Sequence, residues 1–187
     1  MSGRHVVVVG GSVAGLSTAL ALSRQGHQVT LLEKESLPDC ETPVEAFERW
    51  ERRGSPQSRH SHAFLARLHN EIKHREPELY AALLAAGADT IPFAEMTREF
   101  FPDEELLPED EEITLLACRR ITFDWALAHH VKRHTDTDYL DATSVIGLEA
   151  VRDAATGLPR VTGVRARRDD GTILHLDADL VVDATGR

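Results

Sequence analysis

A glycine-rich turn near the start of the chain has the residue types that can hold a phosphate group. The pattern G-x-G-x-x-G provides a tight turn, close approach of the backbone to a pyrophosphate and close packing of a helix on a strand. Here Gly10 can supply the turn and Gly15 the helix packing, while Ser12 occupies the second glycine position. The helix that follows would direct N–H groups and partial positive charge at the phosphates. The turn predicts a dinucleotide site formed by Gly10, Gly11, Ser12, Val13, Ala14 and Gly15.

A carboxylate at Glu33, followed by Lys34, completes the pattern. A carboxylate at the end of the second strand of such a unit can accept hydrogen bonds from the two hydroxyls of an adenosine ribose. It would repel a 2′-phosphate, which disfavours NADP as the resident cofactor. The alternative interpretation is that a glycine turn and a Glu at the end of a strand are common features of strand-to-helix connections and bind no nucleotide. The strand, helix, strand and acidic residue follow one another in the expected order and spacing, which favours nucleotide binding. The predicted site also includes Lys34.

These residues are positioned by a strand, helix and strand over His5 to Lys34. The run His5–Val9 is rich in β-branched residues and is typical of a parallel strand that is buried on both faces. Residues 13–24 have helical spacing and Gly26 ends that helix, while residues 28–33 form the next strand. The expected class is α/β, a Rossmann-like FAD-binding fold (glutathione-reductase type) with a parallel sheet and a β-rich meander.

The middle of the chain predicts a long connection and several helices. Residues 35–60 contain prolines and many charges, with one short helix expected about residues 44–50. Helical spacing predicts helices over residues 61–75 and 77–86, the second ended by Gly87. Residues 103–112 are expected to be a solvated acidic excursion, and residues 113–118 a strand. Thr122 is expected to be the N-cap of a helix over residues 122–134, with Asp124 in its first turn.

The last third of the sequence is rich in strand signals. Turn residues, including the Asp169-Asp170-Gly171 hairpin signal, separate the expected strands 144–151, 160–167, 173–176 and 180–183. An NAD-dependent dehydrogenase would use the same turn and acid but should continue as repeated βα units. The β-rich last third therefore argues against that alternative.

Composition and charge exclude several classes of function. The 187 residues include 42% hydrophobic and 28% charged residues, which is ordinary for a globular protein. A formal net charge of -10 disfavours nucleic acid as a partner. Cys40 and Cys118 lack disulfide or zinc spacing, and His60 and His62 lack further ligands, so we expect no metal. No apolar segment is long enough for a membrane span, so a cytoplasmic location is expected.

Four blocks of the sequence resemble the FAD-dependent monooxygenases of the aromatic-hydroxylase superfamily (group A flavin monooxygenases). The turn over residues 10–16 reads G-G-S-V-A-G-L, and residues 52–62 follow the pattern R-x-G-x-P-Q-x-x-H-x-H. Residues 118–124 are similar to the family's arginine before a helix, and residues 178–186 to its late strand ending in A-T-G. Where hydroxylases of this superfamily carry an Asp-Gly pair, this chain has Thr185-Gly186. The halogenase signature of tryptophans and an active-site lysine is not recognisable.

The resemblance implies FAD as cofactor and extends the predicted site. It places Arg52 near the flavin, Arg120 against the pyrophosphate or ribose, and Thr185 and Gly186 at the same cofactor. Because the flavin supplies the difficult chemistry, no catalytic side chain is predicted. NAD(P)H is the implied transient electron donor, and the implied substrate is a small organic molecule that is hydroxylated or epoxidised.

The domain expectation is that residues 1–187 form the N-terminal portion of an FAD-binding domain. It comprises the unit 5–34, a helical insertion about 61–87 and a β-meander about 144–184, with the substrate domain absent. Such a chain is expected to be inactive alone and to expose a strand edge. A non-catalytic truncated fragment is the other alternative, and the oligomeric state is left open.

Overall fold

The computed structural model describes residues 3–37, 39–103 and 105–186. They divide into two compact units, one made of Met1–Asp39 with Leu127–Arg187 and the other of Cys40–Ala126. The strands are β1 His5–Val9, β2 Gln28–Leu32, β3 Ser61–Phe64, β4 Asp89–Pro92, β5 Thr114–Arg119, β6 Asp138–Leu140, β7 Thr143–Arg152, β8 Pro159–Arg168, β9 Ile173–Asp177 and β10 Leu180–Asp183. The helices are α1 Val13–Arg24, α2 Pro43–Arg49, α3 Ala66–Arg75, α4 Pro77–Ala85, α5 Phe93–Phe100 and α6 Arg120–His134, with a 3-10 helix at Pro108–Glu112.

A parallel sheet forms the centre of the first unit, with strand order β10-β1-β2-β6. Val6, Val7 and Val8 of β1 are at most 1% exposed, as expected of a β-branched strand that is covered on both faces. Helix α1 follows the first strand and ends where Gly26 adopts φ +80°. Since all four strands are parallel, their carboxyl ends lie along one edge of the sheet. The predicted α/β fold with a parallel sheet is confirmed.

The β-meander also belongs to the first unit and is an antiparallel sheet of order β7-β8-β9. Val164 and Ala166 of β8 are fully buried and share a core cluster with Val7 and Leu32 of the parallel sheet. The predicted hairpin between β8 and β9 is confirmed, with Gly171 at φ +89°. One boundary is corrected: β10 pairs in parallel with β1, so the meander ends at β9 and does not extend to residue 184.

The second unit contains an antiparallel sheet of order β3-β5-β4 and the helices α2 to α5. The predicted helix over residues 61–75 is corrected here, because Ser61–Phe64 is a strand paired with β5 and the helix begins only at Ala66. Leu65, which contributed to the apparent helical spacing, is 72% exposed. Its place in the helical pattern was therefore misleading, while the long-range pairing with β5 decided the local structure.

The start of α6 is a second correction. The helix begins at Arg120, two residues before the expected N-cap Thr122, so Asp124 is not in its first turn. The N–H of Arg120 donates to the carbonyl of His60 at 3.0 Å, and the N–H of Ile121 to that of Ser58 at 2.7 Å. Carbonyl groups of the loop before β3 thus accept the first N–H groups of the helix, and no threonine cap is needed.

Several short elements were not predicted from the sequence. They are β4, α5, β6 and the 3-10 helix. The 3-10 helix lies within residues 103–112, which were expected to form a solvent-exposed acidic loop. Among the described residues, no helix is both long enough and apolar enough to cross a membrane.

Candidate nucleotide-binding site

The glycine turn lies at the carboxyl end of β1, where the backbone must turn sharply into α1. Gly10 has φ +108°, and its N–H donates to the carbonyl of Leu32 at 2.7 Å. A Cβ at Gly10 would lie 2.6 Å from the carbonyl oxygen of Ala184. A side chain is therefore excluded both by the left-handed conformation and by the neighbouring backbone.

Gly15 provides the close packing of α1 on the turn. A Cβ at this position would overlap the carbonyl oxygen of Gly10 and would lie 3.5 Å from Cβ of Ala184. The structure thus explains sterically why the third glycine position of the pattern, Gly15, must be glycine. The helix can approach the strand this closely only without a side chain.

The N-terminus of α1 carries neither an acidic residue in its first turn nor a side-chain cap. Ser12 is the N-cap residue with an extended backbone, and its side chain makes no capping hydrogen bond. Ser12 and Val13 are half-buried and Ala14 is exposed. The partial positive charge of a twelve-residue helix is thus presented at the sheet edge without an anionic side chain in the first turn.

Glu33 follows β2 and lies against the turn. Its Oε2 accepts a hydrogen bond from the N–H of Gly11 at 2.6 Å, and its Oε1 accepts one from the N–H of Glu35 at 2.9 Å. The residue is 8% exposed, whereas the adjacent Lys34 is exposed. Each carboxylate oxygen has two lone pairs, so both can accept a further hydrogen bond from a ribose hydroxyl.

Tyr139 of β6 is a neighbour of the site that sequence reasoning missed. A Cβ on Gly11 would lie 2.7 Å from the Tyr139 hydroxyl oxygen and 2.9 Å from Oε2 of Glu33. Gly11 fills a variable position of the glycine pattern, yet here the two side chains leave no room for a methyl group. No local signal in the sequence joins residues 11 and 139, because β6 reaches the site through its pairing with β2.

We expect Gly11→Ala to weaken FAD binding and lower the free energy of unfolding by about 1 to 3 kcal/mol, the usual cost of overpacking. Tyr139→Phe removes the hydroxyl oxygen nearest to the added methyl group. The double variant Gly11→Ala/Tyr139→Phe should therefore recover part of both losses in urea unfolding and flavin titration. Equal losses with and without Tyr139→Phe would contradict the proposed contact.

Thr185 and Gly186 follow β10 at the same edge of the sheet as the turn. The N–H of Ala184 donates to the carbonyl of Val9 at 2.8 Å, and Gly186 has φ +75°. The hydroxyl and N–H of Thr185 donate to Oδ1 of Asp183 at 2.7 and 3.0 Å, and these bonds lower the pKa of Asp183. The first unit therefore brings the glycine turn, Glu33, Thr185 and Gly186 to one edge.

The two remaining predicted residues, Arg52 and Arg120, lie together in the second unit. Arg120 Nε donates to Oδ1 of Asp124 at 2.8 Å, and Arg52 Nη1 lies 3.7 Å from Oδ2 of the same carboxylate. The Arg52 guanidinium stacks over the Trp50 ring, with 4.7 Å between Cζ and the ring centroid. Asp124 was not predicted as a site residue. The corrected start of α6 explains it, because Arg120 and Asp124 become an i, i+4 pair on the helix.

Cys118 lies on β5 near this cluster. Burial, with a smaller contribution from the negative charge of Asp124, raises the pKa of the Cys118 thiol from 9.0 to about 11.

No group of three or more His, Cys, Asp or Glu side chains that could hold a metal ion occurs in the part of the chain that the structure describes.

The raised pKa predicts a specific dependence of stability on pH. A thiol that binds its proton more tightly in the folded chain stabilises the fold below the unfolded pKa, and this contribution is lost as the pH rises through the folded pKa. The free energy of unfolding should therefore fall between pH 9 and pH 11. The decline should be shallower in Cys118→Ala when both proteins are unfolded with urea across this range. Parallel pH profiles for the two proteins would contradict the assignment.

The geometry of the first unit defines a dinucleotide-binding βαβ fold, with a glycine turn, a helix N-terminus and an acidic residue at the carboxyl edge of a parallel sheet. Residues 5–186 match the model of the DAO family, described as FAD dependent oxidoreductase. The chain belongs to this family.

Individual relatives are similar over parts of their length. The chain is 39% identical over 83 residues to Protein Rv3254 of Mycobacterium tuberculosis, a match that covers 44% of this chain and 16% of that protein. The p-nitrophenol 4-monooxygenase PnpA of Pseudomonas putida has 18% identity and a TM-score of 0.61, with 98% of this chain and 41% of that chain covered. A flavoprotein/dehydrogenase of Cytophaga hutchinsonii has 17% identity and a TM-score of 0.64, covering 97% and 39%.

A myxobacterial chondrochloren halogenase, CndH, is also similar in fold, with 22% identity and a TM-score of 0.59, covering 100% of this chain and 38% of that chain. At these identities the likeness concerns the fold. The chain spans less than half the length of each of these four proteins.

The residues of the first unit fit the cofactor of the family. Side chains are sterically excluded at Gly10 and Gly15 because neighbouring backbone fills that space, so the turn can pack closely against α1. The N-terminus of that helix has no acidic residue in its first turn and no side-chain cap, which suits a pyrophosphate. The carboxylate of Glu33 lies beside that turn with acceptor capacity for ribose hydroxyls.

Proposed function

We propose that this chain binds FAD through the carboxyl edge of its parallel sheet. The observation that carries the proposal is the convergence of the glycine turn, the N-terminus of α1 and the Glu33 carboxylate. In this account the α1 N–H groups bind the pyrophosphate and Glu33 binds the ribose. Ser12, Val13, Ala14 and Lys34 line the same cofactor, as do Thr185 and Gly186, with Arg52 and Arg120 contributing positive charge.

We further propose that the protein acts as a monooxygenase on a small organic molecule, with NAD(P)H as electron donor and O2 as co-substrate. The names of similar structures support this reaction class, since PnpA is described as a monooxygenase. When bound, FAD supplies the redox chemistry, and the side chains of this chain hold and orient it. No residue is assigned as a general acid or base.

The alternative of an NAD-dependent dehydrogenase is disfavoured by the antiparallel meander, which stands where repeated βα units would be expected. Membership of the FAD dependent oxidoreductase family also favours a resident flavin. Halogenation is a competing flavin reaction, because CndH has a similar fold.

The reaction class is tested by mixing the FAD-loaded protein anaerobically with NADH or NADPH and then admitting oxygen. A monooxygenase that uses these donors should lose its visible flavin absorbance on mixing and recover it when oxygen enters. Flavin that stays oxidised with both donors would contradict the proposed electron donor. Reduction by an organic substrate without NAD(P)H would instead indicate a dehydrogenase or oxidase.

Arg120→Ala should weaken FAD binding and make the remaining affinity less sensitive to salt. A charge that contacts phosphate is screened by ions, so its removal flattens the dependence of affinity on ionic strength. Flavin titrations at low and high salt measure this effect, and the exposed Arg53→Ala variant is a control with the same charge change. An unchanged salt dependence would show that Arg120 makes no contact with phosphate.

A further inference from the structure

Two arginines of the second unit lie over the same aromatic ring. The Cζ atom of Arg119 lies 4.5 Å from the centroid of the Phe47 ring, and the Cζ atom of Arg59 lies 5.8 Å from it. A guanidinium within about 6 Å of a ring centroid is attracted by the negative face of the ring. The half-buried Phe47 of α2 therefore holds two positive charges near one another.

The backbone independently brings these two arginines to one place. Arg119 is the last residue of β5 and pairs with Ser61, the first residue of β3, and Arg59 lies two residues before Ser61. The N–H of Arg120 donates to the carbonyl of His60 at 3.0 Å, which joins the two residues that follow the arginines in sequence. The whole arrangement is thus defined within the second unit.

The positive charge of this pair is not balanced by a carboxylate among the described residues. Arg52 and Arg120, in contrast, share the carboxylate of Asp124. Within the described ranges, no carboxylate lies at ion-pair distance from the guanidinium of Arg59 or Arg119, and both residues are exposed. Two neighbouring like charges without a counter-ion repel each other, and a bound anion relieves that repulsion.

The guanidinium pair matches the chemistry of a phosphate monoester. A carboxylate has two oxygens, which one guanidinium fork can bind in a bidentate manner. A phosphate monoester has three terminal oxygens and a charge of about −1.5 to −2 at pH 7. Two guanidiniums therefore fit both the number of its oxygens and its charge.

We propose that Arg59, Phe47 and Arg119 form a binding site for a phosphate monoester. The two guanidiniums bind the terminal oxygens, and the ring holds the guanidiniums in place before the ligand arrives, which lowers the entropic cost of binding. FAD contains a pyrophosphate diester and no phosphate monoester, so the ligand of this site is distinct from the cofactor. The inference concerns the second unit alone and does not depend on the proposed function.

The ligand class is tested by calorimetric titration of the chain with methyl phosphate, a monoester, and with dimethyl phosphate, a diester with a single negative charge. Ionic strength is kept constant, because salt screens the attraction. We expect saturable binding of methyl phosphate and at least about tenfold weaker binding of dimethyl phosphate, which offers fewer charged acceptor oxygens. Equal affinities for the two esters, or no binding of methyl phosphate, would overturn the inference.

Single substitutions locate the bound anion on the chain. Arg59→Gln and Arg119→Gln should each weaken methyl phosphate binding about tenfold, the effect of losing one charge-assisted hydrogen bond. Arg67→Gln removes the same charge from a side chain of α3 that is 91% exposed, and it should leave the affinity unchanged. Wild-type affinity in either of the first two variants would overturn the inference, and so would an equal loss in Arg67→Gln.

Phe47→Leu tests the ring while keeping both arginines. It retains an apolar side chain in α2 but removes the aromatic face that the guanidiniums contact. We expect methyl phosphate to bind about fivefold more weakly, in line with the loss of exposed cation–π contacts. Wild-type affinity in this variant would show that the ring does not organise the pair and would overturn the site as described.

Two further ligands identify the source of the phosphate group. Inorganic phosphate carries the group alone, and adenosine 2′-phosphate carries it on a nucleoside. Both should compete with methyl phosphate, and the tighter of the two assigns the site to free phosphate or to a phosphorylated nucleoside. Failure of both to compete would overturn the inference. A failure of the chain to bind FAD would refute only the proposed function, so the two results are distinguishable.

Discussion

Gly15→Val should abolish FAD binding and lower the free energy of unfolding by about 3 kcal/mol or more. The added Cβ would overlap the carbonyl oxygen of Gly10, a backbone atom that no side-chain rotation can move aside. Relief requires α1 to shift away from β1, which would also displace the turn. Flavin titration together with urea unfolding measures both effects.

Gly147→Val is the matched control for this substitution. A Cβ at Gly147 would lie 3.7 Å from the Arg165 guanidinium, an ordinary contact, and β7 accommodates a β-branched residue. This variant should keep its FAD affinity and most of its stability. Retention of flavin by Gly15→Val would show that the turn has a different role.

Glu33→Ala should weaken FAD binding by about tenfold to a hundredfold for each ribose hydrogen bond that is lost. Each charge-assisted hydrogen bond to a ribose hydroxyl contributes roughly 1.5 to 3 kcal/mol, and 1.4 kcal/mol corresponds to about a factor of ten. The substitution also removes the acceptor of the Gly11 N–H, which loosens the turn itself. Calorimetric titration with FAD is the direct measurement.

Two companion variants separate these contributions. Glu33→Gln keeps an oxygen acceptor but removes the charge, so it should fall between wild type and Glu33→Ala. Asp177→Ala removes the same charge from an exposed position of β9 and should leave FAD affinity unchanged. Wild-type affinity in Glu33→Ala would refute the ribose assignment.

The part of the fold that the sequence predicted well is the βαβ unit. The run of valines in β1, the bounds of α1 and the terminating Gly26 agree with the structure because each is encoded by adjacent residues. The hairpin at Gly171 has the same local origin. Such signals need no knowledge of distant partners.

The errors occurred where contacts distant in sequence decide the structure. Ser61–Phe64 became a strand through pairing with β5, and α6 gained its first turn through carbonyls of the loop before β3. The three-residue strand β6 is too short for a periodic pattern, although it brings Tyr139 to the site.

The candidate site, like the fold, could be predicted from the sequence only where adjacent residues encode it. The glycine turn and Glu33 follow a spacing with a physical reason, and the structure places them side by side. Arg52 and Arg120 were singled out through resemblance, and their shared partner Asp124 emerged only from the tertiary structure. Their contacts with FAD remain a proposal.

The central claim is that the glycine turn and Glu33 recognise the ADP half of FAD. It is tested most directly by titrating FAD into the purified chain in the presence of ADP or of FMN, which carries the flavin without the adenosine half. We predict saturable FAD binding that ADP weakens competitively and FMN leaves unchanged. Absence of FAD binding, or competition by FMN but not by ADP, would contradict the claim.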